Sequence, residues 1–408
     1  MKFDTIIIGG GLSGLVAGIE LCRKGQKCMI VSSGQSALHF FSGSFELHSG
    51  AENPFDAIKE LSPSHPYSKI GVERLAEYVG TVKKLFKEVG VTLKGQNDMN
   101  HMRLTPLGVL KRAWLTLDEY ADIPGDGAMP WKKVALLNID GFLDFHTSYV
   151  AAGLAELGVE CVVNTISIPE LEKLRENPTE MRSTNIAKTI SAGLIGHLAA
   201  RINEHAKDVD AVLMPAIVGL NGCADVVMLK EKVDRPLHFL ATLPPSVPGI
   251  RLQMMLKRYF TKLGGMYMLG DSVTGGDFED GMLKTIYTAN HGTTGFHADN
   301  FILATGSFFS KGLTSTIDGV RESVFGLDVD CADDRAEWYA RDIFENQPYM
   351  SFGVRTDESF HVYRNGETVK NLYATGAVLS NFNSLKEGSG AGVSILSSMH
   401  VSSIIQNL

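Results

Sequence analysis

Residues 5–8, Thr-Ile-Ile-Ile, run straight into Gly9, Gly11 and Gly14, and this junction limits the possible folds more than any other part of the chain. A short β-branched apolar run suits a strand buried on both faces. Each glycine of the G-x-G-x-x-G spacing then has its own task. Gly9 permits a tight turn, Gly11 lets backbone approach a pyrophosphate, and Gly14 lets the next helix pack close to the strand. Residues 13–24 are predicted helical, which aims the positive helix end and Ser13 at a phosphate. Gly25 stops that helix, and residues 27–31 form a second strand. Strand, glycine turn, helix and strand make a nucleotide-binding βαβ unit.

The second strand of such a unit ordinarily ends in Asp or Glu, which bonds the ribose hydroxyls. Ser32 and Ser33 stand there instead. A hydroxyl is a weaker anchor than a carboxylate. Two cofactor types follow: a dinucleotide held less tightly, or a mononucleotide whose one phosphate uses the glycine turn.

A chain of 408 residues exceeds what one hydrophobic core usually supports, so two domains are expected. The net charge of −8, with no basic run, argues against a nucleic-acid partner; an anionic substrate then needs local Arg or Lys. Five cysteines, odd in number and never spaced C-x-x-C, read as reduced thiols and argue against a metal or iron–sulfur site. No apolar run approaches the ~20 residues of a membrane span. Asp4 and the phosphate fingerprint argue against a signal peptide, so the expected compartment is the cytoplasm.

The fold class expected is α/β, a Rossmann-type nucleotide-binding domain with an inserted α/β cap. Residues 1–94 and 248–408 form the first domain, and 95–247 the insertion. Within the insertion, strands are predicted at 133–138, 160–166 and 211–215, with helices at 145–157 and, for the most part, 184–206. Elsewhere, helices are predicted at 57–61, 73–89 and 248–263, the last capped by Ser246. A strand at 266–269 and a hairpin-like pair at 283–289 and 296–303 complete the pattern.

Three later stretches make sense only if they return to the first unit. Phe-Ile-Leu-Ala-Thr-Gly-Ser at 301–307 and Asn-Leu-Tyr-Ala-Thr-Gly-Ala at 371–377 are apolar strands ending in Ala-Thr-Gly, where small residues let backbone pass near a nucleotide. Lys-Glu-Gly-Ser-Gly-Ala-Gly at 386–392 opens a closing helix whose amides point at a ligand. Thr305, Gly306, Gly376, Gly388, Gly390 and Ala391 are therefore cofactor candidates, with Val273. Together these stretches, and Phe-Gly-Val-Arg-Thr-Asp at 352–357, resemble the FAD-binding domain of the fumarate reductase and glycerol-phosphate dehydrogenase class of flavoproteins. That class places a carboxylate after the last strand's glycine, where this chain has Ala377; Glu387 is a candidate replacement.

Over nearly its whole length the chain resembles the B-subunit family of anaerobic, quinone-linked glycerol-3-phosphate dehydrogenases. The residues that carry this are Phe3, Asp4, the glycine turn, Gly-Gln-Ser-Ala-Leu-His-Phe at 34–40, Ser-Gly-Ser at 42–44, and Leu-Pro-Pro-Ser-Val-Pro-Gly-Ile-Arg-Leu-Gln at 243–253, together with 306–310 and 326–329. The resemblance implies FMN, with FAD as the alternative, a FAD-bearing A subunit and an iron–sulfur C subunit at the inner face of the cell membrane. It implies oxidation of sn-glycerol 3-phosphate to dihydroxyacetone phosphate with a quinone as acceptor. The fold class would set Gln35, Ser36, Ser42, Gly43 and Ser44 along the flavin's polar edge.

His39 is a proton-transfer candidate, because its ordinary pKa lies near neutrality; the alternative is a loop histidine packed between Leu38 and Phe40. Arg103, Arg182, Arg251 and Arg355 are phosphate candidates, since guanidinium binds phosphate bidentately; the alternative is structural ion pairing. Two further readings stay open: a stand-alone flavin oxidoreductase, and a scaffold subunit without cofactor. If a partner houses the dehydrogenation, this chain only relays electrons.

Overall fold

The structure, a computed structural model, describes residues 2–190 and 192–407. The chain divides into two compact units, Met1–Ala37, Glu46–Val82 and Leu256–Leu408 in one, Leu38–Phe45 and Lys83–Met255 in the other.

The first unit is built on a mainly parallel sheet. Its strands run Met266–Leu269, Cys28–Ser32, Lys2–Ile8 and Phe296–Leu303 in spatial order. Glu367–Ala374 pairs in parallel with the end of Phe296–Leu303, while Met282–Thr288 pairs antiparallel with its start. Ile6 and Ile7 are fully buried on opposite faces of the first strand. Each such burial contributes about 1.5–3 kcal/mol, so the strand's place at the centre follows from its composition.

The register decides what meets at the sheet's carboxyl edge. Ile8 lies opposite Val31 and Leu303, and Leu303 lies opposite Ala374. The turns that follow these strands therefore emerge side by side. One face carries the helix Leu12–Arg23 and the closing helix Gly390–Gln406, joined where Ser402 Oγ donates to the Ala17 carbonyl at 3.3 Å.

The second unit contains an all-parallel four-stranded sheet, in the order Leu237–Leu240, Ala211–Pro215, Lys133–Ile139 and Glu160–Ile166. A small antiparallel sheet joins Ser44–Phe45, Leu115–Leu117 and Leu93–Lys94.

Several boundaries differ from expectation for local reasons. The helix expected at 57–61 starts earlier and spans Pro54–Ile58, because Asn53 caps it by accepting from the Phe55 amide at 2.9 Å, with Pro54 behind it. The helix expected at 184–206 is two, Ser183–Thr189 and Ile195–Asn203; Ser191 lies outside the described residues. Ser246 caps Val247–Lys262 through the Gly249 amide at 3.2 Å. A strand at Val273–Glu279 extends the expected hairpin, although Gly275 and Gly276 hide its pattern. The helix Ala224–Lys232 and the strand Leu237–Leu240 were also not expected. Among the described residues, no helix is long and apolar enough to cross a membrane.

Candidate functional site

The glycine turn assigns each glycine a separate role. Gly9 has φ +120°, its amide donates to the Val31 carbonyl at 2.9 Å, and a Cβ there would collide with the Ala304 carbonyl. A Cβ on Gly14 would collide with the Gly9 carbonyl, so the helix sits as close to the strand as backbone allows. Gly11 differs from both. Its Cβ would meet only Ser36 Cβ, at 3.6 Å. Space therefore lies above the second glycine, where a phosphate approaches in this kind of turn.

The segments from the middle and end of the chain do return to this place. The Ala304 amide donates to the Ile8 carbonyl at 2.8 Å, and the Thr375 amide to the Leu303 carbonyl at 2.9 Å. Gly306 and Gly376 both have left-handed backbones, φ +81° and +75°. Thr305 Oγ1 is a buried hydroxyl without a hydrogen-bond partner among the described protein atoms. Ser13 is turned inward: its Oγ lies 2.7 Å from both Thr375 Oγ1 and Ser398 Oγ. Gly376 is held by its own amide, which donates to Ser397 Oγ at 3.0 Å. The serines at 394, 397, 398 and 402 were missed from sequence, although spacings of three and four mark one helix face.

The strand end at Ser32 and Ser33 carries no carboxylate. Ser32 is buried and its Oγ donates locally to the Gly34 carbonyl at 3.4 Å, while Ser33 is exposed. Asp271 follows the neighbouring strand, but its carboxylate accepts from the Ser272 and Asn290 amides at 2.8 and 3.0 Å and lies 2.9 Å from His291 Nδ1. Gln35 is exposed, Ser36 is half-buried, and the Val273 side chain is buried.

His39, Ser42, Gly43 and Ser44 belong to the second unit. His39 is half-buried, next to a buried Leu38 and a largely exposed Phe40; the His39 carbonyl accepts from the Ser246 amide at 2.7 Å. Burial pushes its imidazole below the ordinary histidine range, against the opposing effect of a hydrogen bond with Gln253. Neutral imidazole is thus its resting form near pH 7. Ser42 Oγ lies 3.2 Å from Ser44 Oγ. Gly43 is packed so closely on Tyr120 that any side chain would strike the ring.

The arginine candidates are engaged with protein groups. Arg251 is buried, ion-paired with Glu119, and donates to the Val218 and Gly219 carbonyls at 3.2 and 3.1 Å. Burial pushes its guanidinium down to about 10. Arg182 donates to both carboxylate oxygens of Asp144 at 2.7 and 3.0 Å, and Arg355 Nε to Asp330 at 2.7 Å. Arg103 is buried. Glu387 is also committed: its Oε1 accepts from the Asn383 amide at 2.8 Å and its Oε2 from Ser389 Oγ at 2.8 Å. Gly390 lies against Ser384, and Ala391 is half-buried in the closing helix.

A family described as "FAD binding domain" matches residues 4–393. The B subunit of anaerobic glycerol-3-phosphate dehydrogenase from Yersinia pestis bv. Antiqua (strain Antiqua) is 40% identical over 412 residues, covering 98% of this chain and 97% of that protein. The protein of the same name from Pectobacterium atrosepticum is 39% identical over 422 residues, covering 98% of each. Likeness to solved structures is looser. A 3-ketosteroid delta1-dehydrogenase from Sterolibacterium denitrificans matches 100% of this chain and 99% of its own at 9% identity and a TM-score of 0.47, so residue roles rest on this chain's own geometry. The chain is a flavoprotein of the FAD-binding-domain family, and within it belongs to the B-subunit family of anaerobic glycerol-3-phosphate dehydrogenases.

Proposed function

We propose that this chain is the flavin-bearing B component of a quinone-linked glycerol-3-phosphate dehydrogenase, which converts sn-glycerol 3-phosphate to dihydroxyacetone phosphate. The observation that carries the flavin site is the space above Gly11, at an edge where Ala304, Thr305, Thr375 and Gly376 come together. Flavin, when bound, supplies a two-electron acceptor. The chain's own residues would do the rest. Gly9 and Gly11 admit the phosphate, amides at the start of Leu12–Arg23 bind it, and Thr305, Gly306 and Gly376 flank it. Strand ends that carry Ser32, Ser33 and Ala377 in place of acids favour FMN over FAD.

The second unit serves as the face for substrate or partner subunits. His39, neutral near pH 7, is the proton acceptor in this reading. The partners are a FAD-bearing A subunit and an iron–sulfur C subunit, which would hold the chain peripherally at the inner membrane face and pass electrons to quinone. That the relatives are themselves one lettered component of a dehydrogenase supports assembly in a complex. A second reading, electron relay without substrate binding here, is favoured by one observation: Arg182, Arg251 and Arg355 each already bind a carboxylate.

The test is to purify the chain, release its cofactor and weigh it, then add glycerol 3-phosphate with and without the partner subunits. Bound FMN reduced by the chain alone supports the dehydrogenase site. Reduction only in the complex supports the relay, and a colourless chain that takes up neither flavin overturns the proposal.

A further inference from the structure

Glu387 precedes the glycines that open the closing helix, yet its carboxylate faces the protein. Besides the Asn383 amide and Ser389 hydroxyl, Oε2 lies 3.2 Å from His65 Nε2. His65 is only 2% exposed. Its Nδ1 accepts the Tyr67 amide at 3.0 Å, capping the short helix Pro66–Ile70. With Nδ1 accepting, Nε2 is the nitrogen that carries the proton donated to Glu387. A carboxylate with three protein donors is a poor free ligand but a strong anchor.

A third segment, residues 46–50, ties these two together. The Ser49 amide donates to the Glu387 carbonyl at 2.8 Å, the Gly392 amide to the Glu46 carbonyl at 2.9 Å, and Tyr67 Oη to the Leu47 carbonyl at 2.8 Å. A Cβ on Gly388 would collide with Ser49 Oγ, and one on Gly392 with Tyr67 Oη. His48, buried beside both groups, accepts the Gly50 amide at 3.1 Å. Farther along the same helix, Ser397 and Ser398 bond Gly376 and Ser13 of the glycine-turn edge. The helix is continuous, so whatever sets its first residues also sets these contacts.

We propose that His65 and Glu387 are positioning residues: a buried clasp that fixes the start of the closing helix, where the Gly388 and Ser389 amides are held by the Ser384 carbonyl, so that the next amides, those of Gly390 and Ala391, meet the flavin. This rests on the flavin reading above. His65→Asn keeps an oxygen to cap the Tyr67 amide but is too short to reach Glu387. Glu387→Gln keeps the shape and removes the charge. In the purified full-length chain, each substitution should weaken retention of added FMN about tenfold, the scale of one charged hydrogen bond, and shift the visible flavin absorption bands. The double variant should be no weaker than the poorer single, because both break one bond. Ser389→Ala, the mildest change, should move the bands in the same direction with a smaller loss, and it serves if the others fold poorly. Affinity and spectra that match wild type, or losses that multiply in the double variant, overturn the clasp. A wild-type chain that binds neither FMN nor FAD overturns the flavin reading and the clasp with it.

Discussion

Each unit has a parallel sheet with glycine-containing turns beyond its strands, and the two differ in what occupies those turns. After Lys2–Ile8, a Cβ on Gly11 would touch only Ser36 at 3.6 Å. After Ala211–Pro215, a Cβ on Gly219 would press on Val226 Cγ2 at 2.6 Å and Arg251 Nη1 at 3.0 Å. Both turns lie where parallel sheets commonly bind ligands, beyond the carboxyl ends of strands. Topology therefore does not separate them. The second turn is filled by an internal ion pair, while in the first Tyr267 and Ser32 cover Gly10 but leave the Gly11 position open. A strand end becomes a ligand site when the residues after it leave volume and amides behind.

The sharpest way to break this contrast is at the glycines. Gly11→Val should leave the fold intact but lower flavin affinity by about a hundredfold or more, since a steric clash of about 3 kcal/mol suffices. Gly14→Val should instead prevent stable folding, because its side chain meets the Gly9 carbonyl. Circular dichroism beside flavin absorbance separates the outcomes; normal flavin content in Gly11→Val would refute the placement.

The filled turn predicts the reverse pattern. Glu119→Gln leaves the Arg251 charge buried without its counter-charge and should cost about 3–5 kcal/mol in denaturant unfolding, with flavin content of the folded fraction unchanged. Flavin loss without a stability loss would place Arg251 in the ligand machinery. Ser13→Ala removes one internal bridge at the open turn and should cost about 1 kcal/mol. His39 gives the smallest and most conditional effect. If it accepts a proton, activity of the complex should fall as the pH drops through its lowered pKa, on the acid side of ordinary histidine, and His39→Ala should lower turnover and remove that limb. Unchanged turnover returns His39 to a packing role.

Much of the fold was legible in order along the chain. The strand Glu160–Ile166 and the strand Ala211–Pro215 stand where the β-branched and apolar runs placed them, and the helix Val72–Val89 differs by one residue at its start. What was misread had a local cause. Asn53 and Pro54 started a helix three residues early, and two glycines concealed Val273–Glu279. The arginines show the other limit. Residue type makes a guanidinium fit for phosphate, but Asp144, Glu119 and Asp330 lie 38, 132 and 25 positions away, beyond the reach of any local pattern.

Local sequence by itself determined the glycine turn, the strand–turn–helix that carries it and the absence of an acid at Ser32 and Ser33, because backbone freedom and strand patterning are short-range properties. Only tertiary structure decided which side chains share a bond. Ser13 with Thr375 and Ser398, and His65 with Glu387, are joined across more than three hundred residues. The physical reason is register: the pairing of Ile8, Leu303 and Ala374 brings distant turns to one edge, and that alignment is set by packing across the whole sheet.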